Sequence, residues 1–435
     1  MRWQRLSLSL TSISKTCLIG HLQRQPVSRS RKTDTMIKPL IACLLTSIAL
    51  AACTAMPDAT MQTAASATTQ RPEVVFGPPT PMDPAANQMV SVLDIDYYQP
   101  QATLPACNVR NLPRAEPSGE LERALSAVKA YSDREKGYGL IVLQDGAVVH
   151  ESYAEGLDEN LRSASASMAK SVMALMYGIA IDKGMIASVD DPLDAYLTQW
   201  ADDPRGDITI KQALQMASGL GPSDLFGVIF ATDSFAASAQ TQLADEPGSI
   251  FAYNNAVSQL LGEILDRQVR KAGYAGYPDF LLRELWCPMG GTKAVLWVDP
   301  AGKARTYAGL HAGIRDYAKI GELIRNKGRV GKQQIVPAAW IVEMTTPSPA
   351  NGQYGYQVWL GAEWTAQRSY SAANPIRVPH SEPYIARDLV YFDGFGGQRV
   401  YVAPSHGLTV VRVGETNLAF DDAVIPNLLV AAVDD

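Results

Sequence analysis

The distribution of hydrophobic residues divides the chain into an early part with strands, a helical middle and a late part with strands. Apolar residues recur at helical spacing over residues 121–131. Two apolar runs then flank Asp145-Gly146, a dipeptide typical of a tight hairpin turn. The next apolar segment, residues 168–181, is hydrophobic on nearly every side, which predicts a buried helix.

The middle of the chain, about residues 184–295, has mainly helix and loop signals. We predict helices there over residues 209–219, 255–271 and 277–285. Strand patterns return late, and we predict strands over residues 354–360, 389–392, 398–403 and 408–413. This order predicts an α/β (α+β) domain with one sheet built from both ends of the chain and a helical insertion between them.

Composition limits the classes of partner. The chain has 435 residues, of which 47% are hydrophobic, and a formal net charge of -6. This length allows one large domain or two domains that share a core. The mild charge and the lack of a basic run in the folded part give no reason to expect a nucleic-acid partner.

The N-terminal residues predict export and a lipid anchor. A short positive segment begins at Met36, and the apolar stretch over residues 40–50 is too short to span a membrane. Leu-Ala-Ala before Cys53 resembles the bacterial lipoprotein box, which implies a mature protein that starts at Cys53 and carries lipid on its thiol. The alternative is an ordinary secreted protein with a fortuitous cysteine. Thr54 favours the outer membrane by resemblance to bacterial sorting rules, so we expect a location on the periplasmic side of the cell envelope.

The chain therefore divides into three predicted parts. Residues 1–52 are an upstream extension and signal peptide, in which residues 1–35 precede Met36 as the expected true start. Residues 53–117 are a tether rich in Ala, Thr and Pro whose later part packs on the domain, and residues 118–435 are the folded domain. Cys107 and Cys287 remain after processing, and the sequence leaves open whether they form a disulfide.

A Ser-x-x-Lys pair, Ser167 and Lys170, lies at the start of the predicted buried helix. Residues three apart share one helix face. Serine becomes a nucleophile when a base takes its proton, and a lysine in a dry pocket can lose its charge and act as that base. The Ser167 N–H, at the first helical turn, can point at an oxyanion. The structural alternative is a capped helix with a lysine that reaches solvent, but a buried lysine needs a reason.

Two later stretches offer partner groups. Tyr253 could relay protons, since a cationic lysine nearby lowers the pKa of a phenol. Asn255 has an amide that could orient the lysine or a substrate carbonyl. The turn over residues 394–398 contains three glycines, which allow close approach to a ligand, and leads into a strand that could donate a second N–H to the oxyanion. A buried tyrosine and a plain hairpin turn are the alternatives.

The order of Ser-x-x-Lys, Tyr-x-Asn and a glycine-rich strand entry resembles the serine beta-lactamase family, in its class C, esterase and 6-aminohexanoate-dimer hydrolase branch. Further matching segments extend the resemblance over about residues 121–430, among them Ser-Gly-Leu at 218–220 and Tyr-Gly-Tyr at 354–356. The resemblance implies an antiparallel sheet flanked by helices, an all-α domain and an active site between them. This architecture is beta-lactamase/transpeptidase-like.

The resemblance also implies roles for individual residues. Ser167 would be the nucleophile that forms an acyl-enzyme, and Lys170 and Tyr253 would share the general base and acid work. The N–H groups of Ser167 and Gln398 would form the oxyanion hole. The expected oxyanion-binding and substrate-binding residues are Ser167, Asn255, Phe395, Gly396, Gly397 and Gln398. No metal or organic cofactor is expected.

One position departs from the beta-lactamase pattern. Beta-lactamases and penicillin-binding proteins have lysine or histidine at the first position of the third motif, where this chain has Phe395. A phenyl ring cannot pair with the carboxylate of a beta-lactam or a D-Ala-D-Ala peptide, and losing such a contact costs about 1.5–3 kcal/mol. We therefore expect a serine hydrolase that cleaves small amide or ester bonds. The alternatives are a beta-lactamase or D-Ala-D-Ala carboxypeptidase, and an inactive cell-envelope binding lipoprotein.

Overall fold

The computed structural model describes residues 72–77, 90–222, 225–361, 363–372 and 374–434. The predicted signal peptide and Cys53 lie outside these residues. Within them, no helix combines the length and the hydropathy needed to cross a membrane.

The helices and strands are as follows. The α-helices are α1 (Gly119–Arg134), α2 (Met168–Asp182), α3 (Ile210–Leu214), α4 (Leu225–Phe230), α5 (Ser234–Ser238), α6 (Asn255–Lys271), α7 (Tyr277–Leu281), α8 (Ile314–Arg325), α9 (Ala338–Met344) and α10 (Val424–Asp434). The strands are β1 (Val75–Phe76), β2 (Gln101–Leu104), β3 (Gly137–Gln144), β4 (Ala147–Tyr153), β5 (Arg162–Ala164), β6 (Ala294–Trp297), β7 (Leu310–Gly313), β8 (Arg329–Val330), β9 (Gln333–Gln334), β10 (Trp359–Leu360), β11 (Gln367–Ser369), β12 (Arg377–Pro379), β13 (Val390–Gly394), β14 (Gln398–Ala403) and β15 (Leu408–Gly414).

The central sheet joins the two ends of the domain, as predicted. Six antiparallel strands lie in the order β10-β13-β14-β15-β3-β4, so the early hairpin pairs with the late strands. Val410 of β15 lies opposite Val142 of β3, and both are buried. Helix α8 packs on β14 and β15, and α1 packs against α10. These observations confirm an antiparallel sheet flanked by helices.

A second sheet corrects the expectation of a single one. Its five strands lie in the order β1-β2-β6-β7-β5. Strand β2, from the end of the predicted tether, pairs with β6, and β5 pairs with β7. These strands are two to four residues long. Such short strands gain their stability from partners far away in sequence, which a local pattern does not report.

Helix α2 is the buried centre of the domain, and its bounds agree with the prediction. Every residue from Met168 to Ala180 is buried. The Tyr177 hydroxyl donates to the Leu261 carbonyl of α6 at 2.7 Å, and the Trp340 indole of α9 donates to the Ala174 carbonyl at 2.9 Å. Helix α2 is therefore held between α6 and α9.

The predicted helices between α2 and β6 form with one clear difference. Helix α6 has the predicted bounds, and α7 continues into a single π turn over Leu282–Trp286. Helix α3 ends at Leu214 rather than at Gly219. It ends early because the following carbonyls have other partners: the Ala252 N–H donates to Met216 at 2.8 Å, and the Gly248 N–H donates to Ala217 at 2.7 Å.

The strand predicted over residues 354–360 is wrong for most of its length. Only Trp359–Leu360 forms a strand, because the chain folds back so that Tyr354 faces Trp359. Gln357 at the fold has a positive φ of 57°. Its carbonyl accepts a hydrogen bond from the Ser171 hydroxyl of α2 at 2.6 Å, so the apolar pattern here reflects packing on α2.

A disulfide joins Cys107 to Cys287, with a Cα–Cα distance of 4.8 Å. The bond ties the segment before α1 to the residue after the π turn. It links positions 180 residues apart in sequence. The sequence left open whether these two cysteines form a disulfide, and the structure shows that they do.

Candidate active site

Ser167 lies in a sharp turn between β5 and α2. Ala166 before it has a φ of 44°, in the left-handed region that residues other than glycine rarely adopt. The turn is tied to β7, because the Ser165 N–H donates to the Leu310 carbonyl at 2.8 Å. The Ser165 hydroxyl donates to the Ala308 carbonyl at 3.3 Å. These bonds hold the strained backbone that presents the half-buried Ser167 side chain.

The Lys170 amine contacts three oxygen atoms. Its Nζ lies 3.0 Å from Ser167 Oγ, 2.7 Å from Asn255 Oδ1 and 2.8 Å from the Tyr307 carbonyl oxygen. The residue is 1% exposed. A neutral amine has two N–H bonds and one lone pair, so it can donate to Asn255 and Tyr307 while it accepts the proton of Ser167. The geometry therefore suits a general base.

Burial lowers the pKa of Lys170 well below its ordinary value. The negative charge of Asp393 acts in the opposite direction and limits this effect. The sequence-based expectation of a lysine that can lose its charge in a dry pocket agrees with this environment.

The environment of Tyr253 contradicts one expectation. Burial raises the pKa of its phenol well above the ordinary value, and the charge of Asp393 adds to this, while a hydrogen bond with Ser167 lowers it. Lys170 Nζ lies 4.9 Å from the ring centroid, over the aromatic face. The lysine was expected to lower this pKa, but desolvation dominates. Tyr253 therefore stays a neutral phenol that can relay or donate a proton.

Tyr253 and Asn255 are placed by the start of α6. The Asn254 side chain accepts a hydrogen bond from the Ala256 N–H at 2.9 Å and caps the helix. This cap brings Asn255 to Lys170, so the predicted orienting contact with the lysine is present. The Tyr253 ring stacks on Trp359, with an interplanar angle of 24°.

The glycine-rich turn over residues 394–398 contacts the Ser167 turn through Gly394. Gly394 ends β13 directly opposite Gln398, which begins β14. A Cβ atom on Gly394 would lie 2.6 Å from the Ser165 carbonyl oxygen, so only glycine fits there. The Gln398 side chain is buried and bonds the Gly414 main chain through both its amide nitrogen and oxygen. Any contact of Gln398 with a substrate would therefore come from its main chain.

The other glycines face away from Ser165. A Cβ atom on Gly396 would meet Thr416, and one on Gly397 would meet Phe420, at 2.5 and 2.9 Å respectively. Both have positive φ values, which the turn requires. Phe395 is at the tip of the turn with 36% exposure. Substrate contact by these three residues stays a prediction.

Sequence reasoning missed the carbonyl of Tyr307. It also missed Tyr370, which contacts the Tyr253 ring at a centroid distance of 5.1 Å. A main-chain acceptor has no side-chain signature, and Tyr370 lies in a segment without a motif. The charged residues Asp393 and Arg399 occur within the buried strands β13 and β14. Their opposite charges in apolar strands were a signal that could have identified them as a buried ion pair.

The described residues offer no metal site: no three His, Cys, Asp or Glu side chains group together among them in a way that could hold an ion. His311 packs against Tyr98 at a centroid distance of 4.7 Å, and burial lowers its pKa to about 3. His380 packs on Tyr384 at 4.3 Å. Both histidines are thus packing residues.

The chain belongs to the beta-lactamase family, whose family model matches residues 121–434. This match confirms the resemblance and the beta-lactamase/transpeptidase-like fold. Comparison with curated protein sequences found no match.

Several solved structures share the fold. A protein from Bacillus anthracis assigned as a 6-aminohexanoate-dimer hydrolase is 18% identical, with a TM-score of 0.63 over 79% of this chain and 92% of that one. A protein from Bacteroides dorei assigned as a beta-lactamase is 18% identical, with a TM-score of 0.59 over 72% and 99%. EstCE1, a hydrolase with promiscuous acyltransferase activity, is 16% identical, with a TM-score of 0.54 over 73% and 99%. At these identities the likeness shows the fold alone.

We expect Lys170→Met to change how folding stability depends on pH. In the unfolded chain Lys170 keeps its ordinary pKa near 10.5, whereas burial lowers the pKa in the folded state. Between these values the unfolded state binds more protons, so the unfolding free energy of the wild type rises with pH. The variant lacks this contribution. The wild type should therefore gain stability relative to the variant as the pH rises from the lowered folded-state pKa towards the ordinary lysine value of 10.5.

Urea unfolding at a series of pH values measures this difference. Lys332→Met, at an exposed position, is the matched control and should show a constant difference from the wild type. A constant difference for Lys170→Met as well would contradict the lowered pKa.

Proposed function

We propose that this protein is a serine hydrolase that cleaves small ester or amide bonds through an acyl-enzyme on Ser167. The observation that carries this proposal is the buried Lys170 amine, 3.0 Å from Ser167 Oγ and oriented by Asn255. Burial lowers the pKa of this amine and so favours the neutral form that can act as a base. Membership of the beta-lactamase family supports the same reaction class.

Acylation follows from the proton acceptors around Ser167. Lys170 Nζ accepts the hydroxyl proton as Oγ forms a bond to the substrate carbonyl carbon, and the carbonyl oxygen becomes an oxyanion. The N–H groups of Ser167 and Gln398 are the proposed donors to that oxyanion. The C–O or C–N bond then breaks, and the leaving alcohol or amine takes a proton from Lys170 through Tyr253.

Deacylation reverses these roles. Water replaces the leaving group and gives a proton to the same pair as it attacks the acyl carbon. Collapse of the second oxyanion returns the proton to Ser167 Oγ and releases a carboxylic acid. The raised pKa of Tyr253 means that it enters each step as a neutral phenol, which donates one proton while it accepts another.

The proposed substrate class follows from Phe395. Its ring is exposed at the tip of the β13–β14 turn, where beta-lactamases have a cation. An apolar tip suits a substrate without a carboxylate close to the scissile bond. We therefore propose esterase or amidase activity, of the 6-aminohexanoate-dimer hydrolase or esterase kind, over beta-lactamase or D-Ala-D-Ala carboxypeptidase activity.

Replacing the nucleophile tests the reaction type. We expect Ser167→Ala to abolish labelling by a fluorophosphonate probe and to reduce p-nitrophenyl ester hydrolysis by at least about a thousandfold, because it removes the hydroxyl that the buried Lys170 amine contacts at 3.0 Å. The control is Ser163→Ala, since Ser163 is buried in the same stretch and its hydroxyl has no partner among the described residues. Undiminished labelling of Ser167→Ala would exclude this nucleophile. A wild type that no probe or ester acylates would instead support the inactive binding lipoprotein.

A charge at position 395 tests the substrate class. We expect Phe395→Lys to raise kcat/KM for nitrocefin, which carries a carboxylate, by about tenfold or more, because the new cation can pair with it. Phe395→Met is the control for the loss of the ring alone. A wild type that hydrolyses nitrocefin better than a panel of short esters and linear amides would favour the beta-lactamase alternative.

We also propose that the protein is exported and held in the bacterial cell envelope by lipid on Cys53. The lipoprotein-box sequence before Cys53 supports this proposal. We expect Cys53→Ser to abolish incorporation of a palmitate analogue and to move the protein from the membrane fraction to the soluble fraction, since the thiol that accepts lipid is lost. Cys43→Ser, within the apolar stretch, is the control. Equal labelling of Cys53→Ser and the wild type would refute the anchor.

A further inference from the structure

Two arginines and two aspartates form a closed ring of ion pairs near Tyr253. Arg368 lies 3.1 Å from Asp393 and 2.9 Å from Asp422, and Arg399 lies 2.6 Å from Asp393 and 2.7 Å from Asp422. The four side chains are 1–2% exposed. We call these residues the Arg–Asp ring. None of them belongs to the predicted site.

Folding stability alone is a weak reason for such a ring. Desolvation of buried charges offsets much of their mutual attraction, and apolar residues of similar volume often stabilise a core equally well. Apolar residues, however, cannot form directional hydrogen bonds to main-chain carbonyls and hydroxyls. The hydrogen bonds that the Arg–Asp ring makes to neighbouring groups therefore indicate which groups it positions.

The ring holds both ends of the glycine-rich turn. Arg399 Nη1 donates to the Gly394 carbonyl at 2.7 Å and to the Gln398 carbonyl at 2.9 Å. The same guanidinium nitrogen therefore bonds Gly394, which contacts Ser165, and Gln398, whose N–H is the proposed oxyanion donor. Asp393, which immediately precedes Gly394, pairs with this same guanidinium.

The ring also reaches Tyr253 along two paths. The Tyr370 hydroxyl donates to Asp393 Oδ2 at 2.7 Å, and the Tyr370 carbonyl accepts from the Tyr253 N–H at 2.9 Å. The Arg368 guanidinium lies 4.0 Å from the ring centroid of Trp359, on which Tyr253 stacks. Asp393 is thus linked to both the phenol and the oxyanion turn.

We propose that Asp393 is a positioning residue that, through Tyr370 and Arg399, aligns Tyr253 and the Gln398 main chain on Ser167. This inference rests on the proposed hydrolase function. The charge of Asp393 also favours the protonated form of Lys170, whose Nζ lies 4.9 Å from the ring centroid of Tyr253. The other titratable groups that face Lys170 are Tyr253 and Tyr307, and Arg305 lies 3.3 Å from the Tyr307 hydroxyl.

The first test removes one link and leaves the ring intact. We expect Tyr370→Phe to lower kcat for a p-nitrophenyl ester about tenfold, with KM and the thermal unfolding midpoint nearly unchanged, because this buried hydroxyl donates to Asp393 and the proposal assigns it no contact with substrate. The matched control is Tyr401→Phe, which removes a buried hydroxyl of the same sheet that has no hydrogen-bond partner among the described residues. Equal kcat in Tyr370→Phe, Tyr401→Phe and the wild type would overturn the inference.

The second test is the pH profile of Asp393→Asn. Loss of the negative charge lowers the pKa of Lys170, so the acidic limb of kcat/KM should move to lower pH by about one unit or more. If Asp393 acted only in folding, the acidic limb would stay in place. An unmoved limb in folded Asp393→Asn would therefore overturn the inferred effect of the Asp393 charge on Lys170. If Asp393→Asn does not fold, Tyr370→Phe decides alone.

The wild type and Ser167→Ala are measured alongside both variants. A wild type without Ser167-dependent turnover overturns the proposed function and this inference with it. Ser167-dependent turnover that is insensitive to Tyr370→Phe overturns only this inference.

Discussion

The burial of one lysine amine among three oxygen atoms is the constraint on which this site depends. Lys170 contacts Ser167, Asn255 and the Tyr307 carbonyl within 3.0 Å while being 1% exposed. The three oxygen atoms come from different parts of the chain, so the full domain has to fold before the amine has its partners. Burying the lysine costs free energy, and under the proposed function the same burial allows its amine to act as a base.

The fold explains how these parts meet. Strand β5 leads into the Ser167 turn, and the segment before β7 brings the Tyr307 carbonyl. Asn255 begins α6, and Tyr253 lies just before this helix. The central sheet adds the Gly394–Gln398 turn from the late strands. The Arg–Asp ring sits behind this turn and contacts both it and Tyr370, which links the two sides of the candidate site.

The sequence predicted the elements that have their own periodic pattern or cap. Helices α2 and α6 and strands β14 and β15 formed close to their expected bounds because local signals and packing agree there. Local signals failed where distant contacts decide the backbone, as at the early end of α3, the fold-back at Gln357 and the short strands of the second sheet.

Among the candidate site residues, motif spacing identified Ser167, Lys170, Tyr253 and Asn255, which the structure brings together. The spacing could not indicate that the pKa of Tyr253 is raised, because its desolvation depends on packing by Trp359 and Tyr370.

The most direct test of the account is to trap the acyl-enzyme. The purified protein is mixed with a p-nitrophenyl ester, quenched in acid during turnover, digested and analysed by mass spectrometry. We predict a mass increase equal to the acyl group on the peptide that contains Ser167, and its loss in Ser167→Ala. An acyl group on another residue, or ester turnover by the wild type with no acylated Ser167 peptide, would contradict the account.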